Sequence, residues 1–171
     1  NTVIGIDIVP LYKYFEKIAK EIAEHADKFL IAIHSYDKNV HDYITQRKNS
    51  WDQTLTGVSN LLSLKKSITT QTVVSKINLE TLSKTYKFFD QIGITHSNFT
   101  YPHIMGSCIN NLEEIMVKYS ELKPHLDYAI SSFGSRISTE SIPLCYLVDF
   151  PIQTKQYLDI NTAGKNNLGV N

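Results

Sequence analysis

Residues 29–45 read FLIAIHSYDKNVHDYIT, and this stretch decides the fold class. It opens with an uninterrupted apolar run, which is typical of a parallel β-strand that is covered on both faces. Polar side chains follow directly at His34 and Ser35. Because α/β proteins place their sites just past the carboxyl ends of parallel strands, these two residues are the first candidates for a functional site. His41 and Asp42 follow after a short predicted loop, and we expect them to open the helical turn behind the strand.

Strand and helix patterns alternate on both sides of this stretch. Strands are predicted at 29–34, 68–74 and 97–101, and a last extended segment at 137–147. A helical region from about 110 to 133 is expected to bend or break at Pro124. This order predicts βαβ units, and hence an α/β fold whose parallel sheet forms part of a TIM-type barrel. Such a partial barrel leaves open sheet edges, which are candidate surfaces for self-association.

Capping patterns predict where several helices begin and end. A helix is expected from Leu11 onward, where apolar residues recur with helical spacing. Ser50 and Gln53 have the spacing of a capping box at the start of a second helix. Asn78 is a candidate cap for a third helix, which ends at Gly93.

Composition and charge exclude several classes of function. The 171 residues fit one domain, predicted at 1–150, followed by an extended polar tail at 151–171. Seventeen basic residues balance seventeen acidic ones, so we expect no nucleic-acid partner and no anionic membrane surface. No apolar stretch approaches the roughly 20 residues that a membrane helix needs. Only two cysteines occur, Cys108 and Cys145, and without signs of secretion they favour a cytoplasmic protein.

Motifs of hydrolytic chemistry are weak in this sequence. His34, Asp37, His41 and His103 could form a metal site only if the fold brought them together, because no HxH or HExxH spacing occurs. A small metal-dependent hydrolase or isomerase built on these residues is therefore one alternative. A non-catalytic oligomerising module is a second. Cys108 is a further candidate, as a nucleophile with a nearby histidine.

Four segments in sequence order carry a family resemblance. They are IAIHSYDKNVHDYIT at 31–45, SWDQTL at 50–55, TTQTVVSKINLETL at 69–82 and FTYPHIMGS at 99–107. Together they resemble the middle and later strands of the partial (β/α)6 barrel of the radical S-adenosylmethionine superfamily. The resemblance covers roughly residues 28–147, and it makes the strand at 29–34 the fourth of that barrel.

The resemblance implies an enzyme that binds a [4Fe-4S] cluster and S-adenosylmethionine. Members use a 5'-deoxyadenosyl radical to abstract hydrogen from a substrate, and they hold the cluster through CxxxCxxC. That motif is absent here, and two cysteines cannot supply its three thiolates. We therefore expect the chain to be the carboxyl-terminal part of an oxidoreductase, activating or maturation enzyme. Alone, it is expected to be inactive and to hold no cofactor, and a peptide or protein is the expected substrate class.

The resemblance also implies which residues contact the cofactor. His34 and Ser35 occupy the family's positions at the end of the fourth strand. On the next strand either the pair Thr72 and Val74 or the pair Gln71 and Val73 lines the barrel near the adenosine, and we select the first. The complete predicted set is His34, Ser35, Thr72, Val74, Asn78, Tyr101, Met105 and Gly106. Cys145 is the one candidate ligand for an auxiliary cluster, and no other metal ligand is expected in this chain.

Overall fold

The strands form a parallel five-stranded sheet in a computed structural model that describes residues 3–6 and 15–147. The strands lie side by side in chain order, β1 to β5. They are Val3–Ile6 (β1), Lys28–Ala32 (β2), Ser67–Val73 (β3), His96–Thr100 (β4) and Ile137–Glu140 (β5). Every neighbouring pair is parallel, and helices connect successive strands. The predicted α/β fold, part of a TIM-type barrel, is confirmed.

The helices begin and end close to the predicted positions, with three exceptions that are described below. They are Phe15–His25 (α1), Lys38–Thr45 (α2), Ser50–Ser63 (α3), Leu82–Gln91 (α4), Leu112–Ile115 (α5) and Tyr119–Phe133 (α6). Short 3-10 turns lie at Leu79–Thr81, Gly106–Asn111, Gly134–Arg136 and Leu144–Tyr146. The predicted helix start at Leu11 and the predicted tail at 151–171 lie outside the described residues. Within 3–6 and 15–147, no helix is long and apolar enough to cross a membrane.

The break in the last helical region was predicted at the wrong residue. Pro124 lies inside α6, where it removes only one hydrogen bond early in the helix. The chain instead leaves the helical path at Met116, which is extended. Lys118 then starts α6, because its backbone N–H donates to the side chain of Glu121 at 3.3 Å.

Helix α2 begins earlier than predicted, because the sequence prediction placed a loop up to His41 and started the helical turn there. Asp37 starts it by accepting the backbone N–H groups of Asn39 and Val40 at 2.8 and 3.3 Å. His41 and Asp42 therefore lie within the helix and do not open it. The sequence does contain a signal for this helix start: Asp37 is a typical N-cap residue, and the apolar residues Val40 and Ile44 that follow it have helical spacing.

The start of α3 also differs from the prediction. Ser50 and Gln53 do not form a capping box, and Asn49 at the N-cap makes no side-chain capping bond. The cap of α3 comes instead from Asp42 on α2. Its carboxylate accepts the N–H groups of Asn49 and Trp51 at 2.6 and 2.8 Å and the Ser50 hydroxyl at 2.9 Å. Burial alone would raise the pKa of Asp42, but these hydrogen bonds outweigh it and lower the pKa.

Replacing Asp42 with alanine is expected to lower the free energy of unfolding by about 2 kcal/mol, because α3 loses its cap and two N–H donors lose their acceptor. Chemical denaturation of both proteins measures this loss. Asp127→Ala is the matched control, since that carboxylate pairs with Lys123 on the surface of α6 and the pair is expected to contribute less than about 1 kcal/mol. Equal losses in the two variants would contradict the capping role.

The sheet has one face against the helices and one inner face. On β2 the helix-facing side chains are Phe29 and Ile31, and both lie in a core cluster with residues of α1, α3 and α4. A second cluster packs Phe99 of β4 against α4 and α6. Alternate side chains point to the opposite face, so the residues between these apolar positions form the inner surface of the partial barrel.

Candidate functional site

A cavity of about 770 Å³ opens at the carboxyl ends of β2, β3 and β4. This is the edge at which parallel sheets place their ligands, and the volume falls within the roughly 300–1,000 Å³ of small-molecule sites. Three parts of the chain build the walls: the end of α2 with Tyr43, Ile44 and Gln46, the end of β3 with Val73, Ser75 and Ile77, and the segment from Thr100 to Ile115. His34 completes the lining from β2.

Three of the eight predicted contact residues line this cavity. They are His34, Tyr101 and Met105. Gly106 does not line it, although its neighbours Met105 and Ser107 do. The other four, Ser35, Thr72, Val74 and Asn78, are fully buried and lie outside the lining.

The two faces of β3 explain the placement of Thr72 and Val74. Both point toward the helices, where the Thr72 hydroxyl donates to the carbonyl of Ile33 at 2.6 Å. The opposite face of β3, which carries the alternative pair Gln71 and Val73, is the one turned toward the cavity, because Val73 lies in the cavity wall. Sequence alone does not distinguish the faces, because SITTQTV carries polar residues on both of them.

His34 presents a neutral imidazole to the cavity. Its backbone N–H donates to Nδ1 of His41 at 3.2 Å, and the two rings stack with their centroids 5.7 Å apart. Burial, and secondarily the neighbouring His41, lowers the pKa of His34 to about 4. Burial also lowers the pKa of His41, against an opposing effect of Asp42. Both rings are thus uncharged at neutral pH, and His41 carries its proton on Nε2.

The ring of His34 also carries an unsatisfied polar atom. Nδ1 is buried and has no hydrogen-bond partner among the described residues. A buried acceptor or donor without a partner costs free energy unless a ligand or water supplies one. His34 is therefore the residue of this wall with the clearest unmet hydrogen-bonding capacity.

Asn78 joins the ends of β2 and β3. Its Nδ2 donates to the carbonyls of His34 and Val73, both at 2.9 Å, and its Oδ1 accepts the N–H of Ser75 at 2.8 Å. The predicted capping role is wrong, because no side-chain cap bond forms to the turn that follows. Asn78 instead positions His34 and Val73, two residues of the cavity wall.

Tyr101 forms the aromatic part of the wall. One of its faces stacks on Tyr119 at 4.4 Å between centroids, and Tyr119 stacks in turn on Tyr146. The Tyr101 hydroxyl donates to the carbonyl of Val117. Burial, then Tyr119, raises the pKa of this hydroxyl, which therefore stays protonated at neutral pH. The ring is held rigidly from one side.

A polar row, which sequence reasoning missed, crosses the inner face of β3, β4 and β5 beneath the cavity. Asn98 is its centre, since its Nδ2 donates to Gln71 at 2.8 Å and to Glu140 at 3.1 Å. The Ser138 hydroxyl donates to Asn98 Oδ1 at 2.9 Å, and Thr100 accepts from the side chain of Gln71. Strand register brings these residues level. Of the residues of this row, Thr100 also lines the cavity.

The described residues bring no three His, Cys, Asp or Glu side chains together as a metal site. Asp37 caps α2, His41 accepts from the backbone of His34, and His103 hydrogen-bonds Ser141 at 3.0 Å. The four residues of the alternative metal-dependent hydrolase therefore do not converge, and that alternative is not supported. Cys108 lines the cavity and Cys145 is exposed.

No protein-family model matches the chain, and no curated protein matches it. Its structure is similar to the crystal structure of a domain of pyruvate-formate lyase-activating enzyme from Bacteroides vulgatus ATCC 8482, with a TM-score of 0.60. The match covers 79% of each chain at 11% sequence identity. At that identity the likeness shows the fold alone. It agrees with the sequence motifs, which resemble the family of radical S-adenosylmethionine enzymes.

Proposed function

We propose that the cavity at the ends of β2, β3 and β4 binds the adenosyl part of S-adenosylmethionine in a radical S-adenosylmethionine enzyme, of which this chain forms the later strands. The single observation that carries the proposal is the position of the cavity. It lies at the carboxyl edge of a partial barrel similar in fold to a domain of an activating enzyme, and its lining includes His34, Tyr101 and Met105, three of the eight residues expected to contact the cofactor.

The residues present suit that ligand in size and polarity. Val73, Ile77 and Tyr101 offer apolar and aromatic surface for a purine and a ribose, while Thr100 and Ser75 offer hydroxyls. The buried Nδ1 of His34 can pair with a polar ligand atom or an ordered water. When bound beside a reduced iron–sulfur cluster, S-adenosylmethionine supplies the radical that abstracts hydrogen from a substrate.

The cluster itself does not fit this chain. Two cysteines, one on the cavity wall and one exposed, cannot provide three thiolates. We therefore infer that the cluster ligands lie on a segment outside this sequence and that the chain alone is inactive. The similar enzyme is named as an activator of another enzyme, which supports a peptide or protein as the substrate class. We also infer a cytoplasmic setting, which the two free cysteines, Cys108 and Cys145, support.

Substituting Val73 with phenylalanine is expected to weaken binding of S-adenosylmethionine at least about tenfold, or about 1.4 kcal/mol. The larger ring would occupy the wall of the cavity. Thr72→Val, one residue away on the helix-facing side, is expected to lower stability and to leave the affinity unchanged. The described residues already form this cavity, so we now expect the chain alone to bind the adenosyl part, although the sequence predicted no cofactor in the chain by itself. Isothermal titration calorimetry on the chain measures all three proteins, with S-adenosylhomocysteine as a second ligand.

Two results would overturn the proposal. One is the absence of saturable binding of either ligand to a chain whose circular dichroism shows it to be folded. The other is equal weakening by Val73→Phe and Thr72→Val, since that would place the ligand away from the wall.

Self-association is a second candidate property. Strand β5 pairs with β4 on one side, and no described strand covers its other side. We propose that copies of the chain pair through this edge. Light scattering over a range of concentrations is expected to show dimers, and a constant monomer mass would contradict this.

A further inference from the structure

The outer wall of the cavity is a loop whose ends are fastened to each other. The hydroxyl of Tyr101, before the loop, donates to the carbonyl of Val117, after it, and both residues are buried. The residues between these anchors form two short helical turns. Compact surface loops with joined ends are frequently functional. Residues 103–115 are called the lid segment below.

The lid segment forms one wall of the cavity while burying little of itself. None of its residues in the turns Gly106–Asn111 and Leu112–Ile115 is buried. Ile104 and Met105 are 58% and 67% exposed. Segments with few buried contacts open at a lower free-energy cost than the whole domain. The lid segment can therefore move while the sheet and its helices stay folded.

Few hydrogen bonds join the lid segment to the opposite walls. Lys76 holds its base, since its backbone N–H donates to the carbonyl of Ile115 at 3.0 Å and its Nζ to that of Glu113 at 2.7 Å. A further hydrogen bond comes from α2, where the hydroxyl of Tyr43 donates to the carboxylate of Glu114. Tyr43 and Glu114 both line the cavity. Their contact therefore joins the wall formed by α2 to the wall formed by the lid segment.

We propose that the lid segment gates the cavity and that the hydrogen bond between Tyr43 and Glu114 is the latch that holds it closed. Breaking the latch leaves the lid held at its base by Lys76, at His103 by a hydrogen bond to Ser141, and at its ends by Tyr101. Gly106, whose φ of +57° is costly for other residues, provides a turn near one end. Opening would give a ligand access to the wall at Val73. The proposal concerns access to the cavity, whatever ligand it binds.

The latch can be tested with a thiol on the wall behind the lid. Val73→Cys is introduced after Cys108 and Cys145 have been replaced with serine, and its reaction rate with Ellman's reagent is measured. Removing the latch by Tyr43→Phe or by Glu114→Ala is expected to raise the rate about fivefold, as expected for an exposed hydrogen bond to a charged group. The double variant should match the single ones, because all three lack the same bond.

Tyr128→Phe is the matched control, since Tyr128 on α6 is as exposed as Tyr43, and it is expected to leave the rate unchanged. Cys108, which lines the cavity, serves as a second reporter in a Cys145→Ser background if the Val73→Cys protein does not fold. Unchanged rates in both latch variants, or rate increases that multiply in the double variant, would overturn the proposal. Because the probe is a thiol reagent, this outcome is independent of whether S-adenosylmethionine binds.

Discussion

Replacing Asn78 with aspartate is expected to lower the free energy of unfolding by about 4 kcal/mol. The two side chains have nearly the same shape, but the carboxylate cannot donate to the carbonyls of His34 and Val73. It would place negative charge against two carbonyl oxygens at a fully buried position. Urea denaturation at neutral pH measures the loss.

The same substitution should disturb the cavity, because the amide of Asn78 ties together the two strand ends that carry His34 and Val73. Asn110→Asp at an exposed position is the control, and it is expected to change stability by less than about 0.5 kcal/mol. A loss below about 1 kcal/mol in Asn78→Asp would show that these hydrogen bonds do not hold the strand ends.

Acidification is expected to destabilise the protein through His34. The pKa of this imidazole is lowered to about 4 in the folded chain, against about 6.5 when unfolded. The unfolded state therefore binds more protons between these values, and stability falls as the pH falls. The loss begins below about pH 6.5 and reaches about 3 kcal/mol at pH 4.

The contribution of His34 can be separated from that of other groups. Denaturation of wild-type chain and His34→Gln, measured at several pH values, should show a flatter dependence in the variant. The lowered pKa values of His41 and Asp42 remain in the variant, so some slope remains. His25→Gln, at an exposed position on α1, is expected to keep the wild-type dependence. Parallel curves for wild type and His34→Gln would rule out the depressed pKa.

Several features of the candidate site were predictable because they depend on short-range patterns. The apolar run before His34 predicts a buried parallel strand, and its carboxyl end predicts a polar site. Likewise, Pro102 directly after a strand pattern places Tyr101 at a strand end. These two local patterns explain why His34 and Tyr101 line the cavity.

Other features depend on contacts between distant parts of the chain. The face of β3 that lines the cavity is set by which side the helices cover, and polar residues on both faces hide this in the sequence. Asn78 was predicted to cap the helix beside it, yet it binds the carbonyl of His34, 44 residues away. Asp42 caps a helix other than its own. The hydrogen-bond partners of Asn78 and Asp42 cannot be inferred from the pattern of neighbouring residues.

The sequence by itself determined the α/β class, the approximate positions of β2 to β5 and the edge of the sheet that carries the candidate site, because side-chain periodicity and strand ends are properties of neighbouring residues. The tertiary structure decided which side chains form the cavity, which hydrogen bonds hold its wall and which residues of 103–115 line it. The cavity lining and its hydrogen bonds depend on the register of separate strands and on the contact between α2 and residues 103–115, and only the folded chain establishes both.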